Sequence, residues 1–281
     1  YNKIKWEPSE TIFEIGGFGI HYYSLMFVLA FTIGYYLMKR MFNKENISEE
    51  FIEPLLVYIV FSTLIGARLG EVFFYNWDYY SNHLIEILLP IREKENGGFL
   101  FGLLNNYEFI GFRGLASHGA SIGIILGLYI YQRKYNYKPL LWLLDRLSIP
   151  VSLGAFFVRI GNFFNSEIVG KYTGNNFGVI FINRGETLPR HPTQLYESFG
   201  YLILFLILNY LYKNKENNNG YLFGIFLTTM FTIRFIVEFL KESQGGFESK
   251  LTLFSTGQWL SIPMILSGLF IIIYSLKKFK S

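Results

Sequence analysis

The chain has 281 residues, of which 51% are hydrophobic, 20% aromatic and only 16% charged, against roughly 25% charged in a soluble domain. That balance excludes an ordinary soluble fold and indicates an integral membrane protein. The net charge of +4 gathers in short connections between apolar segments, which argues against nucleic acid as a partner, and the absence of cysteine excludes disulfides, thiolate metal ligands and a cysteine nucleophile from this chain.

Apolar runs of about 20 residues, the length a helix needs to cross the hydrocarbon, occur at 21–38, 51–75, 115–131, 140–164, 195–212, 221–240 and 259–276. They predict seven transmembrane helices. Lys39, Arg40 and Lys44 follow the first run, Arg133, Lys134 and Lys138 separate the third from the fourth, Lys213 and Lys215 follow the fifth, and Lys277, Lys278 and Lys280 close the chain. All four basic clusters fall on one side, which the positive-inside rule makes cytoplasmic, so the N-terminus is expected outside and the C-terminus inside. No short hydrophobic region with an A-x-A-like site precedes the first run, so no signal peptide is expected. The predicted class is an all-α polytopic membrane protein, a single embedded domain over 1–281.

Two outer connections are long enough to build structure. Segment 76–114 places the mixed-charge run 92–95 between two apolar patches, with a turn expected at Gly97-Gly98, and reads as an interfacial flap. Segment 166–190 holds a strand-like run, 177–182, followed by Asn183-Arg184-Gly185, and reads as a small external head. Gly66 with Gly70, and Gly119, Gly123 and Gly127, recur at the spacing that lets helix backbones approach closely.

The charged residues inside the apolar runs carry the chemistry. An ionised side chain in hydrocarbon costs at least ~2.5 to 3.5 kcal/mol, so it faces a polar cavity and marks a functional path. Arg159 and Asn162 are three apart in V-R-I-G-N-F-F-N, with Glu167 and Gly170 just beyond, and Arg234 and Glu238 are four apart in R-F-I-V-E; both spacings put the polar heads on one helix face. Two guanidinium groups, each a planar fork of donors, would clamp a phosphate bidentately. The structural alternative is an Arg234–Glu238 ion pair. His118 heads the third run in S-H-G-A-S-I-G, either as a hydrogen-bonded core residue or as a proton acceptor near neutral pH. Arg68, in G-A-R-L-G-E, and Asp145-Arg146 are further embedded charges, the latter pair near the inner interface. No metal site is expected: His21, His83, His118 and His191 are the only histidines, and none has a second histidine at helical ligand spacing. Neither a P-loop, a dinucleotide fingerprint nor a G-x-S-x-G elbow is present.

The runs Y-S-L-M from Tyr23, G-A-R-L-G from Gly66, H-G-A-S-I-G from His118, R-I-G-N-F-F-N-S-E-I-V-G from Arg159, R-H-P-T-Q-L-Y-E from Arg190, R-F-I-V-E-F from Arg234 and G-Q-W-L-S-I-P-M from Gly257 resemble the prolipoprotein diacylglyceryl transferase family, in the family's order and over nearly the whole chain. The resemblance implies a multi-pass enzyme of the bacterial inner membrane, with a periplasmic N-terminus and head. It implies transfer of the diacylglyceryl group of phosphatidylglycerol to the thiol of the lipobox cysteine in a preprolipoprotein signal peptide, with no cofactor. It also implies lipid-binding or catalytic roles for Tyr23, His118, Arg159, Asn162, Glu167, Gly170, Arg234 and Glu238. Ser24, Glu71, Ala120, Ser166 and Lys171 depart from the usual pattern, and the connection after the second run is longer than expected; none of these removes a charge of the site. A lipid or anion transporter would also line its path with buried charge, but transporters built from paired half-folds show internal duplication, and none is found here.

Overall fold

A computed structural model describes residues 4–9, 11–15, 18–74, 76–89, 91–99, 104–109, 117–214, 218–242 and 254–278. The chain divides into two compact units, Tyr1–Asn46 with Leu141–Ser281, and Ile47–Leu140.

The first unit opens with three short strands, β1 (Ile4–Trp6), β2 (Thr11–Ile15) and β3 (Phe18–His21), which lead into helix α1 (Tyr22–Lys44). Strands β2 and β3 form an antiparallel pair. The second unit holds a 3-10 turn (Glu49–Phe51), α2 (Ile52–Phe74), the single-turn helices α3 (Trp77–Tyr80) and α4 (Ile85–Leu88), the hairpin β4 (Ile91–Phe99) and β5 (Leu104–Phe109), and α5 (Ser117–Tyr135). Back in the first unit follow α6 (Leu140–Phe164), β6 (Val179–Phe181), α7 (Thr193–Asn214), α8 (Tyr221–Glu238) and α9 (Thr256–Lys278).

Among the described residues six helices, α1, α2, α6, α7, α8 and α9, are long and apolar enough to cross a membrane, one fewer than the seven runs predict. The run without a counterpart, the third, does form a helix, α5, of 19 residues. Ser117, His118 and Ser121 at one end and Gln132, Arg133 and Lys134 at the other leave it short of the ~20 apolar residues of a typical span.

Glycine sets the helix packing in both units. A Cβ added at Gly119 would lie 2.6 Å from the Gly70 Cα, and one at Gly66 2.8 Å from the Gly123 Cα, so α2 and α5 meet backbone to backbone as the glycine spacing predicts. A shallow apolar groove of about 560 Å³ runs beside this crossing, lined by Phe61, Ile65, Phe73, Ile122, Leu126 and Ile130 among others. In the first unit Gly268 of α9 faces Thr228 of α8 in the same way, its added Cβ falling 2.7 Å from the Thr228 backbone nitrogen.

Buried charge near the end of α1 is structural. Glu45 takes two hydrogen bonds from Arg146, at 2.9 and 2.8 Å, one from the Trp142 indole at 2.9 Å and one from the Tyr212 hydroxyl at 2.9 Å, tying α1, α6 and α7 together. Burial works against its charge, but these donors and the Arg146 guanidinium hold its carboxyl below the usual range. Asp145, fully buried, accepts the backbone N–H groups of Gly220 and Phe223 at 2.7 and 2.8 Å, satisfying donors that the first turn of α8 leaves free. The Asp145-Arg146 pair therefore caps and staples helices.

The strand-then-turn pattern read in the 166–190 segment forms as β6 and the 3-10 turn Ile182–Arg184, and β6 takes its partner strand from the N-terminal segment. β1 pairs in parallel with β6, and Trp6 lies 4.3 Å from the Phe163 ring and donates to the Phe163 carbonyl at 3.0 Å. Phe163, Val169, Val179 and Phe181 form one core cluster. The turn after β6 closes at Gly185 with φ +72°, a conformation that favours glycine. In the other connection, the turn expected at Gly97-Gly98 is absent: both glycines lie inside β4, whose register shifts between Glu93 and Gly98. Glycine at an irregularity of this kind is a bulge device, and residues 100–103 lie outside the described residues.

Candidate active site in the first unit

The site grows from the C-terminal turns of α6. The Arg159 Nη1 donates to Asn162 Oδ1 at 2.9 Å, and the Asn162 amide donates to Glu167 Oε1 at 2.7 Å, so the three residues of the Arg159–Glu167 run form one relay. The chain leaves α6 through two residues at positive φ, Ser166 at +53° and Ile168 at +57°, which a non-glycine residue adopts only under external support. Support comes from the N-terminus of α7: Gln194 donates to the Glu167 carbonyl at 2.6 Å and Thr193 to the Ile168 carbonyl at 3.0 Å. That is the physical use of the P-T-Q portion of the R-H-P-T-Q-L-Y-E run.

Tyr23, in the first turn of α1, lays its ring against Gly161, where an added Cβ would fall 2.8 Å from the ring Cδ2. Its hydroxyl hydrogen-bonds Asn162 and feels the charges of Glu167 and Arg159. Gly170 sits where any side chain would strike His191 and the Leu240 carbonyl, at 2.6 and 2.8 Å, and its carbonyl accepts from Arg190 at 3.0 Å. Gly170 is therefore a packing residue of the head, required for its lack of a Cβ. Arg190 spans this region, pairing with Glu186 at 2.8 Å and Glu242 at 3.1 Å over the Tyr172 ring.

Three residues that the sequence reading did not single out complete the site. Glu197, fully buried on α7, pairs through Oε2 with Arg159 Nε at 2.7 Å and through Oε1 with Lys241 Nζ at 2.8 Å. Lys241 in turn reaches Glu238 Oε2 at 3.3 Å. Tyr201, one turn after Glu197, hydrogen-bonds Arg159 and lies within the field of both Arg159 and Arg234. The signals were present: an acid in the second turn of an apolar helix, a tyrosine four residues on, and a lysine three after Glu238.

The alternative reading, an Arg234–Glu238 ion pair, does not form. Glu238 turns to Lys241, and Gly257 at the start of α9 leaves room for its carboxylate, an added Cβ there falling 2.6 Å from the Glu238 Cδ. Among the described residues Arg234 has no carboxylate partner and its buried Nε has no hydrogen-bond acceptor. Arg159 is thus neutralised and held, whereas Arg234, near enough for its charge to be felt at Tyr201, leaves its Nε unspent.

The two remaining sequence candidates lie in the other unit. Arg68, buried, donates to the backbone carbonyls of Ile87 and Glu86 and packs over Tyr80, employment that anchors the α3–α4 segment to α2. His118 is on the first turn of α5; its side chain lies outside the described residues.

The family model described as prolipoprotein diacylglyceryl transferase matches residues 10–274. Proteins named phosphatidylglycerol–prolipoprotein diacylglyceryl transferase are similar over nearly full length: one from Bacteroides fragilis is 40% identical across 98% of this chain and 96% of its own. A second, from Tolumonas auensis, is 39% identical across 97% and 98%, and a third, from Chloroherpeton thalassium, is 40% identical across 98% and 95%.

Proposed function

The chain belongs to the prolipoprotein diacylglyceryl transferase family, and from that premise we propose that it transfers the diacylglyceryl group of phosphatidylglycerol to the lipobox cysteine of preprolipoproteins in the bacterial inner membrane. The observation that carries the residue assignment is the unequal state of the two arginines. Arg159 is fixed by Glu197, Asn162 and Tyr201, and Arg234, whose charge reaches the same tyrosine, has no carboxylate partner among the described residues. A guanidinium with a buried, unpaired Nε and no counter-ion is costly, and a phosphate arriving from the lipid supplies one.

In the proposed reaction the cysteine thiol loses its proton, the sulfur attacks the glycerol carbon that bears the phosphate ester, and the carbon–oxygen bond breaks. A thioether forms and glycerol phosphate leaves with the electron pair. The thiol, with an ordinary pKa of about 8.5, is mostly protonated at neutral pH. The two guanidinium groups favour its thiolate and stabilise the charge growing on the departing phosphate. His118 accepts the thiol proton, a role worth ~10²- to 10⁴-fold. Tyr23, Asn162 and Glu167 bind the lipid headgroup, and Glu238 acts on the site through Lys241. Gly170 supports the head, and Arg68 acts from α2. The topology is seven spans, α5 being the third, with the N-terminus and the 166–190 head periplasmic, 76–114 a flap on the same side, and the C-terminus cytoplasmic.

Purified protein incubated with phosphatidylglycerol and a lipobox peptide tests this. The expected result is a mass gain of one diacylglyceryl group on the peptide cysteine with stoichiometric release of glycerol phosphate. Movement of lipid between leaflets without peptide modification favours a transporter instead, and full transfer by His118→Asn relocates the base.

A further inference from the structure

The long connection after α2 carries a cluster that the transfer reaction does not use. His83, Glu86 and Glu93 come from a turn, from α4 and from β4, and each places one ligand-type atom within 4.8 Å of the other two. The sequence reading looked for histidine pairs on one helix, and this set has one histidine and needs the β4 register to assemble.

The histidine is set as a ligand. Its Nδ1 lies 2.9 Å from the Tyr79 carbonyl, a contact that only a ring N–H makes, and the ring stacks on Tyr79 at 4.2 Å. The proton is thereby placed on Nδ1, as in metal-binding histidines whose other nitrogen donates to a carbonyl. The remaining Nε2 faces Glu93 Oε2 at 3.2 Å. A neutral ring would bring two lone pairs together there, so the pair requires a cation between or upon them. Two donors bound tetrahedrally to one zinc at 2.0–2.1 Å lie ~3.3 Å apart, close to the spacing seen.

A proton on Nε2 accounts for the His83–Glu93 contact and leaves Glu86 unexplained. Glu86 is only 2% exposed, and its carboxylate receives the Tyr79 hydroxyl at 2.9 Å and the Glu93 backbone N–H at 2.8 Å, both neutral donors. The nearby guanidinium groups serve elsewhere: Arg68 binds backbone carbonyls, and Arg92 lies over the Tyr79 ring at 5.8 Å. A dication satisfies both carboxylates and the imidazole together, and the two hydrogen bonds to Glu86 are the outer support such ligands receive. His83 and Glu93 remain open to solvent, at 27% and 56% side-chain exposure, which leaves an entry path and a position for water.

We propose that His83, Glu86 and Glu93 bind one divalent first-row transition ion, with zinc the best match to one imidazole and two carboxylates, and that the ion ties β4 to the α3–α4 turn. This site is independent of the transfer chemistry.

The test uses the whole protein in detergent, stripped with a chelator and titrated with Zn²⁺ alone, with bound metal measured after desalting. The expected result is about one zinc per chain, and protection of the 76–109 backbone from protease when zinc is present. His83→Ala and Glu93→Gln, on separate segments and outside the membrane helices, each weaken zinc binding by about tenfold or more and lose the protection, while zinc-free thermal unfolding stays at the wild-type value. Absence of zinc binding by the wild type, as expected if the cluster holds only a proton, overturns the proposal. Wild-type zinc binding by both variants overturns it equally, since the ion then sits elsewhere.

Discussion

Glu197 governs the arrangement of the site because it answers two cations at once. With Arg159 and Lys241 both on its carboxylate and with no exposure of its own, neutralising it leaves Arg159 without a carboxylate and Lys241 with Glu238 alone. Removing one partner of a buried pair costs about 3–5 kcal/mol. Glu197→Gln is therefore expected to lower the thermal midpoint in detergent by several degrees and to cut transfer by about 10²-fold or more. A Glu197→Gln, Lys241→Met double variant regains part of the midpoint because the second cation, no longer answered by Glu197, is gone, while transfer stays low. A double variant no more stable than Glu197→Gln means that the Lys241 pairing is not structural. The reactive charges were legible in the sequence because arginine in hydrocarbon has so few innocent explanations. Their partners were not: Glu197 is 38 residues from Arg159 in sequence, Lys241 is 44 from Glu197, and only the packing of α7 against α6 and α8 joins them. The i,i+4 spacing of Arg234 and Glu238 left the ion pair open as an alternative because it sets the helix face and not which neighbour on that face takes the carboxylate.

Among the secondary-structure elements, the glycines were the most readable. The repeats in α2 and α5 form the crossing their spacing announces, and Gly123 leaves no room for a side chain, an added Cβ falling 2.9 Å from the Gly66 Cα. Overpacking typically costs about 1–3 kcal/mol, and here the obstacle is backbone, so Gly123→Leu is expected to lose at least that much, read as a lower thermal midpoint and faster proteolysis of 47–140. Unchanged stability would show that the two helices do not meet at this point. The stapling of α1, α6 and α7 through Glu45 carries a pH signature. Its folded carboxyl titrates below the usual 4.5, so its contribution is complete above that pH and is lost as the pH falls through the lower folded value. The wild type is expected to lose stability on acidification from about pH 4.5 downward, and Glu45→Gln to be less stable at neutral pH with a flatter acid limb. Equal slopes for the two proteins would exclude Glu45 as a source of the acid sensitivity. The strand contributed to the head by β1 left no comparable trace, since three residues, Ile4–Trp6, are too few for any period to show and their pairing depends on β6, far along the chain.

At the scale of the molecule, composition alone assigned a polytopic membrane protein, and six helices of spanning length bear that out. The third run was legible as a helix while its fitness to span was not, because α5 mixes glycine with polar ends and is only 19 residues long. Family membership follows from the ordered motifs and from the near full-length similarity, and what it leaves to physics is the division of labour between the arginines. The most direct measurement is a double-mutant cycle on transfer from phosphatidylglycerol, using wild type, Arg159→Gln, Arg234→Gln and the double variant, each confirmed folded by its thermal midpoint. Two groups that grip one phosphate are coupled by about 0.5–3 kcal/mol, so the double variant is predicted to lose clearly less activity than the product of the two single losses. Strictly multiplicative losses would mean that the guanidinium groups act on separate events, which contradicts a shared phosphate clamp.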